Sequence, residues 1–281
     1  DGHVFLWLNV DVGHDQIVER PFITKILVKN NNFNRILWKT KRLALEARNK
    51  KCNIIFVMDA IYLNFGAFEN IVTINQNLLP FEFRELLRYK VSMITLKFIF
   101  LRWIFLYTFN RSKGVIFLSE YAKNKVLKVT NNKFRHTVIH HASKQNDFSN
   151  SRELSISKYN YSNPYDIVYI SSVEPYKHHI RVIEAVSSLR EKGFPVSFRI
   201  VGNSGNHRSI NLLEKAIKRF DPMRDWIVYD DDIEYKDMSS VYNEMNLMIF
   251  SSTCETFGIP ISEAINARIP IICSNRSSMS S

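Results

Sequence analysis

Cysteine is scarce in this chain, and the three present, Cys52, Cys254 and Cys273, lie far apart with no CxxC pair. That excludes a zinc ribbon and a disulfide framework and fits a reducing compartment. Glycine is sparse too, 8 in 281 residues, so a glycine beside a strand end carries information. Internal repeats, low-complexity segments and a signal-peptide pattern are all lacking. No long hydrophobic run is free of charge. Val91–Phe109 approaches the length of a membrane span, but Lys97 and Arg102 interrupt it, at a cost of roughly 5–7 kcal/mol at mid-bilayer. A spanning helix is therefore not expected; a buried core helix and a helix lying in a membrane interface both stay open. The sequence does not begin with Met and stops in Ser277–Ser281 just after a strand-like run. The expectation is a fragment, truncated at both ends.

Hydrophobic residues make up 46% and charged residues 23%, the composition of a packed globular protein rather than a disordered one. The length suits two domains of roughly 100–150 residues each. The net charge of +11 is unevenly placed: residues 1–150 hold 23 Lys and Arg against 11 Asp and Glu, whereas residues 151–281 hold 15 against 16. Such asymmetry suggests that the first half meets something anionic, a membrane surface or a nucleic acid, with a merely solvated basic surface as the plainer alternative. No DNA- or RNA-binding module is present, so nucleic acid is not an expected partner.

Ser143–Pro164 is polar and aperiodic, and reads as a connector over residues 144–164. It separates a first domain at 1–143 from a second at 165–281, each expected to be incomplete. Beyond the connector, strand-like Asp166–Ser171, Val196–Val201, Trp226–Tyr229, Leu247–Phe250 and Pro270–Cys273 alternate with helical His178–Lys192, Ser209–Phe220, Asp237–Asn243 and Pro260–Ala267. In His178–Lys192, Ile180, Ile183, Val186 and Leu189 share one predicted face. The first half alternates less cleanly, with strands at Val4–Val10, Ile54–Asp59, Ile71–Ile74, Val115–Ser119 and His136–His140, and a helix at Tyr121–Thr130. Strands alternating with helices imply a parallel α/β sheet.

The sharpest chemical signal is Cys254-Glu255-Thr256-Phe257-Gly258-Ile259-Pro260-Ile261-Ser262-Glu263-Ala264. Two glutamates flank a strand-to-helix turn with Gly258 at the bend and Pro260 opening the helix. A helix N-terminus offers backbone N–H groups to phosphates and sugar hydroxyls, and glycine permits close approach. Ionised Glu255 at the strand exit can accept from sugar hydroxyls, and Glu263, a turn into the helix, can chelate a ribose diol.

This segment resembles the E-x7-E donor motif of the retaining glycosyltransferases of family four. The resemblance implies an α/β fold of the GT-B type: two facing Rossmann-like domains with parallel sheets and a cleft between them. It extends through Tyr169-Ile170-Ser171-Ser172-Val173-Glu174-Pro175-Tyr176-Lys177, where relatives place a Lys at the position of Lys177 against the donor diphosphate. An Arg often stands five residues earlier; here that position is Ser172. Gly202 matches the glycine ending the second donor-domain strand, though a plain turn glycine accounts for it almost as well. The implied donor-binding set is Ser172, Lys177, Gly202, Glu255, Thr256, Phe257, Gly258, Ile259 and Glu263, with Glu255 and Lys177 as the catalytic residues.

The first half resembles the family more loosely. Gln76 and Asn77 stand where many relatives carry a His-Asp pair, and with Ser119 they form the implied acceptor side. His140-His141-Ala142 resembles the element closing that domain, and Arg268 replaces a common glycine. The implied activity is transfer of a sugar from a nucleotide sugar to a glycan or lipid-linked acceptor, in polysaccharide biosynthesis, with retention of configuration. No cofactor is expected. Nor is a metal, because the adjacent pairs His140-His141 and His178-His179 should point apart, as neighbours on a strand do. Location is expected to be cytoplasmic, with the basic-aromatic run Arg84–Arg111 docking peripherally on an anionic membrane. In that reading Arg84, Arg88, Lys90, Lys97, Arg102 and Arg111 alternate with Phe98, Phe100, Trp103, Phe105 and Tyr107. The rival readings are a nucleotide-sugar-binding protein without turnover and a GT-B relative that epimerises or phosphorolyses sugars.

Overall fold

A computed structural model describes residues 4–9, 23–28, 38–130, 134–142, 156–234 and 237–280. In the first half, β1 (Val4–Asn9) pairs with β2 (Ile23–Val28). Strands β3 (Ile55–Val57), β4 (Ile71–Asn75), β5 (Gly114–Phe117) and β6 (His136–Val138) form a sheet in sequence order. In the second half β7 (Tyr165–Ile170), β8 (Val196–Val201), β9 (Ile227–Asp230), β10 (Leu247–Phe250) and β11 (Ile271–Cys273) form a five-stranded sheet in the order β11-β10-β7-β8-β9. All the described ladders are parallel. These are two Rossmann-like sheets, as the alternating pattern implies.

Burial follows strand position. Central β7 buries Ile167–Ile170 without interruption, as a parallel strand covered on both faces must. Helix α4 (His179–Glu191) packs on this sheet largely through the predicted face: Ile183 and Val186 are buried and Ile180 packs partly buried against the core, joined by Val182, while Leu189 at the end of the helix is exposed. Helix α5 (His207–Phe220) buries Leu213, Ala216 and Ile217 on the same core, and α6 (Met238–Glu244) adds Val241 and Tyr242. Asp221 then turns the chain into β9: buried, it accepts from the N–H groups of Asp225, Trp226 and Ile227 at 2.9, 2.9 and 2.7 Å.

Helix α1 (Leu43–Asn49) and strand β2 were not expected from the sequence. Of the connector, residues 144–155 lie outside the described residues. The rest holds a 3-10 turn, Ile156–Lys158, and a bridge between Asn160 and Asn163.

The run Val91–Phe109 becomes α2 (Met93–Arg111), 19 residues long, capped by Ser92, whose Oγ accepts from the Thr95 N–H. By length and composition alone it could cross a membrane. It is neither a wholly buried core helix nor free of the fold, because Phe105, Thr108 and Phe109 are buried and the opposite face is open. Two residues expected at the membrane are turned inward instead. Phe105 packs against Phe81 and Phe109. Arg102 lies over the Phe81 ring and donates to the Pro80 carbonyl at 3.3 Å.

The halves share their cores. Cys254 of the second half, buried, joins the first half's cluster around Phe81, Phe109 and Phe117, and Tyr176 packs against it. Burial raises the Cys254 thiol well above its ordinary range, with the nearby Glu82 and Glu255 carboxylates adding to the rise, so it is a neutral apolar filler. The loop that follows it is thereby pinned across the cleft.

Candidate active site

In the second sheet the connection from β7 runs to β8 on one side while β10 and β11 lie on the other. The order reverses between β7 and β10, and the crevice outside their carboxyl ends is where an open parallel sheet holds a ligand. The two motif segments read from the sequence emerge there. Loop 171–178 follows β7, and loop 251–258 follows β10 and leads into α7 (Ile259–Asn266).

Lys177 and Glu255 form an ion pair, with side chains only 8% and 15% exposed. The ammonium also lies over the rings of Phe250 and Tyr176, at 5.0 and 5.3 Å. The Lys177 backbone is locked as well: its carbonyl accepts from the hydroxyls of Tyr169 and Ser251 at 2.6 and 2.7 Å. The two loops are stitched together by the Tyr176 carbonyl, which accepts from the Thr253 N–H and hydroxyl, and by His178 Nε2 at 3.0 Å from Thr253 Oγ1. Burial, then the Arg88 charge, lowers His178 below its ordinary range.

Gly258 caps α7 with φ 90°, a left-handed conformation that favours glycine, and Pro260 lies in the first turn. The N–H groups of Phe257, Gly258 and Ile259 donate to no described residue, which leaves them available to an anion at the positive end of the helix. Glu263, partly buried, accepts from the Tyr242 hydroxyl at 2.8 Å.

Gly202 is explained by packing. With φ 129°, a Cβ there would stand 2.3 Å from the Ser171 carbonyl oxygen, so only glycine lets the ends of β8 and β7 approach. It does not line the cleft cavity.

That cavity, about 260 Å³, lies between the halves. Gln76, Asn77 and Tyr89 reach it from the first half, and Ser172, Glu174, Glu255 and Thr256 from the second. Lys177 stands behind Glu255 rather than in the wall. Asn77 is partly spent on its own turn, its Oδ1 accepting from the Leu79 N–H at 3.1 Å. Ser119 caps α3 (Glu120–Leu127) and donates to the Thr256 carbonyl at 2.7 Å, joining the two halves. Thr256 Oγ1 lies 3.4 Å from the Gln76 carbonyl. The Phe257 ring contacts both His140, tilted at 5.9 Å, and His141, edge-on at 5.6 Å between centroids. The expectation that those histidines point apart is thus corrected: both follow β6 and converge on one ring. No group of three or more metal-ligating side chains occurs among the described residues. Tyr89, Tyr176 and Glu174 were missed as cleft residues, although Glu174 sits within the quoted segment between Ser172 and Lys177.

Two facing parallel sheets with a polar cleft at the switch point define the GT-B architecture, and comparison with solved structures agrees. Anabaena HepE, solved with UDP-glucose, superposes with a TM-score of 0.65 at 16% identity, covering 92% of this chain and 68% of that one. Sucrose-phosphate synthase from Thermosynechococcus elongatus gives a TM-score of 0.73 at 13% identity, covering 99% and 72%. Residues 151–281 match the family model described as glycosyl transferases group 1. The serotype-specific mannosyltransferase WbdA of Escherichia coli is 24% identical over 105 residues, a stretch that spans 37% of this chain and 13% of WbdA. The fold is thus of the GT-B type, and the second half is similar to the glycosyl transferases group 1.

Proposed function

We propose that this chain transfers a sugar from a nucleotide-sugar donor to a glycan or lipid-linked acceptor with retention of configuration, as a member of retaining glycosyltransferase family four. The observation that carries the reading is the Lys177–Glu255 pair beside the open N-terminus of α7, at the switch point. HepE, with its UDP-glucose, and WbdA, named as a mannosyltransferase, favour a nucleotide sugar and a glycan for this chain as well.

In this reading the donor diphosphate lies between Lys177 and the N–H groups of Phe257–Ile259. Negative charge grows on the diphosphate as the glycosidic bond breaks, and a cation with preorganised dipoles stabilises that charge more than the ground state. Glu255 leaves Lys177 to accept from the sugar hydroxyls, and Glu263 holds the ribose diol. The acceptor hydroxyl, oriented by Gln76 and Asn77, approaches the face the diphosphate leaves, and a donor phosphate oxygen takes its proton. Neutral amides cannot act as general bases, which is why the proton goes to the phosphate.

Titration calorimetry with a panel of nucleotide sugars tests this. One donor should bind, Lys177→Ala and Glu263→Ala should each weaken it, and chelators should leave binding unchanged. Unchanged affinity in both variants would remove the donor-site assignment. The second reading, binding without turnover, is favoured by Ser172 where a cation is common and by Gln76 where a histidine is. Product formation assayed beside binding separates the two.

A further inference from the structure

Helix α2 carries apolar residues all the way round, a composition expected of a helix buried on every side or set in lipid. Only one side is covered. Met93, Leu96, Phe100, Trp103 and Tyr107 follow i, i+3, i+7, i+10, i+14 spacing and lie on one stripe opposite Phe105 and Phe109. All five are exposed, Phe100 at 65% and Trp103 at 69%. Just before the helix, Phe83, Leu87 and Val91 are exposed as well.

The charge around it has one sign. Between residues 84 and 113 the only acid is Glu85, which is buried and paired with Arg88. Arg84, Lys90, Lys97, Arg111 and Lys113 are exposed in the same stretch. Arg84, Lys90 and Lys97 have no ion-pair partner among the described residues. An isologous contact with a second copy would set these cations against their own images, a like-charge penalty. A nucleic acid would satisfy the cations and leave the apolar stripe in water. Aromatic and aliphatic side chains flanked by Lys and Arg fit a bilayer interface with anionic headgroups.

We infer that the α2 face is a docking surface for an anionic lipid bilayer, with the helix lying in the interface plane. It does not span, because Phe105, Phe109 and Arg102 hold its other side to the protein core. Phe98 of the same helix and Tyr89 just before it line the cleft cavity. A second cavity of about 640 Å³ opens beside Lys90, Ser92 and Ile94. A docked bilayer therefore stands next to the cleft. The consequence that the acceptor arrives from the membrane, as a lipid-linked glycan, rests on the transferase reading; the docking itself does not.

Flotation with vesicles of phosphatidylcholine, with and without phosphatidylglycerol, tests it in the absence of any sugar. Binding is expected only to the anionic vesicles, strong in low salt and fading in high salt. Arg84→Glu/Lys97→Glu should weaken it roughly tenfold or more, and Phe100→Ser/Trp103→Ser by roughly tenfold or more, with thermal unfolding unchanged for these exposed sites. Trp103 is the exposed one of the four tryptophans, so brominated lipids should quench the unmodified protein's fluorescence on binding, which needs no variant. Absence of binding, equal binding to neutral vesicles, or binding without quenching overturns the proposal. So does self-association abolished by Phe100→Ser/Trp103→Ser, which would assign the face to a second copy. None of these outcomes touches donor binding, so the transferase reading stands or falls separately.

Discussion

The Tyr89 hydroxyl donates to Glu174 Oε2 at 2.8 Å, joining the two halves across 85 positions of sequence. Both residues line the 260 Å³ and the 640 Å³ cavities, so this bond lies in the wall between them. Burial, reinforced by the Glu174 charge, pushes the Tyr89 phenol far above its ordinary range, so it is a donor at any working pH. Glu174 is held from the other side by the Ser204 hydroxyl at 2.8 Å. Tyr89→Phe keeps the ring on Phe98 and removes only the donor. A double-mutant cycle of Tyr89→Phe with Glu174→Gln, read by urea unfolding, should return a coupling of about 1.5–3 kcal/mol, the range for a hydrogen bond to a charged group. Additive losses would show that the contact contributes nothing.

Lys177 and Glu255 answer to a different rule. Removing one member of a buried pair leaves the other charge desolvated and alone, at about 3–5 kcal/mol, whereas removing both together costs much less. Lys177→Met and Glu255→Gln should each destabilise the fold strongly, and the double variant should recover most of the loss. A double variant as unstable as the sum of the singles would show that the two charges act independently.

Gly202→Ala separates backbone need from ligand contact. The new Cβ would overlap the Ser171 carbonyl, and the positive φ adds strain of about 1–3 kcal/mol. A clear drop in unfolding temperature is expected in the absence of any nucleotide sugar. Unchanged stability with weakened donor binding would move Gly202 into the donor site instead.

The second sheet was legible because its strands are continuous apolar runs and its amphipathic helices have a phase that periodicity detects. The loop 251–258 was legible because a glycine and a proline at a strand-to-helix turn admit few geometries. Helix α2 was not. Apolar on all sides, it has no phase, so nothing in the sequence distinguishes buried Phe105 from exposed Trp103, or inward Arg102 from outward Lys97. Tyr89 was invisible for another reason: it reaches Glu174 through a 3-10 turn ended by Lys90 at φ 56°, a conformation no local pattern there announces. The coupling of Cys254 to the first half's core depends on how the sheets face each other, which is a property of neither half alone.

His179 makes the fold sensitive to acid. It is buried, stacked on Tyr169 at 4.4 Å, with Nε2 3.1 Å from Ser171 Oγ. Burial first, then the Lys177 charge and His178, pushes it from 6.5 down to about 3. Between those values the unfolded chain binds a proton that the folded one refuses, so stability rises with pH across the window. His179's contribution is complete above about pH 6.5 and is lost as pH falls towards 3. Between pH 7 and pH 5 the loss should reach about 2 kcal/mol. His179→Gln keeps a side-chain donor near Ser171 and cannot titrate. The variant should therefore lose less stability than the unmodified protein over that range, with carboxylate titrations common to both. Urea midpoints at pH 7, 6 and 5 measure the difference, and parallel slopes for the two proteins would show that His179 titrates normally.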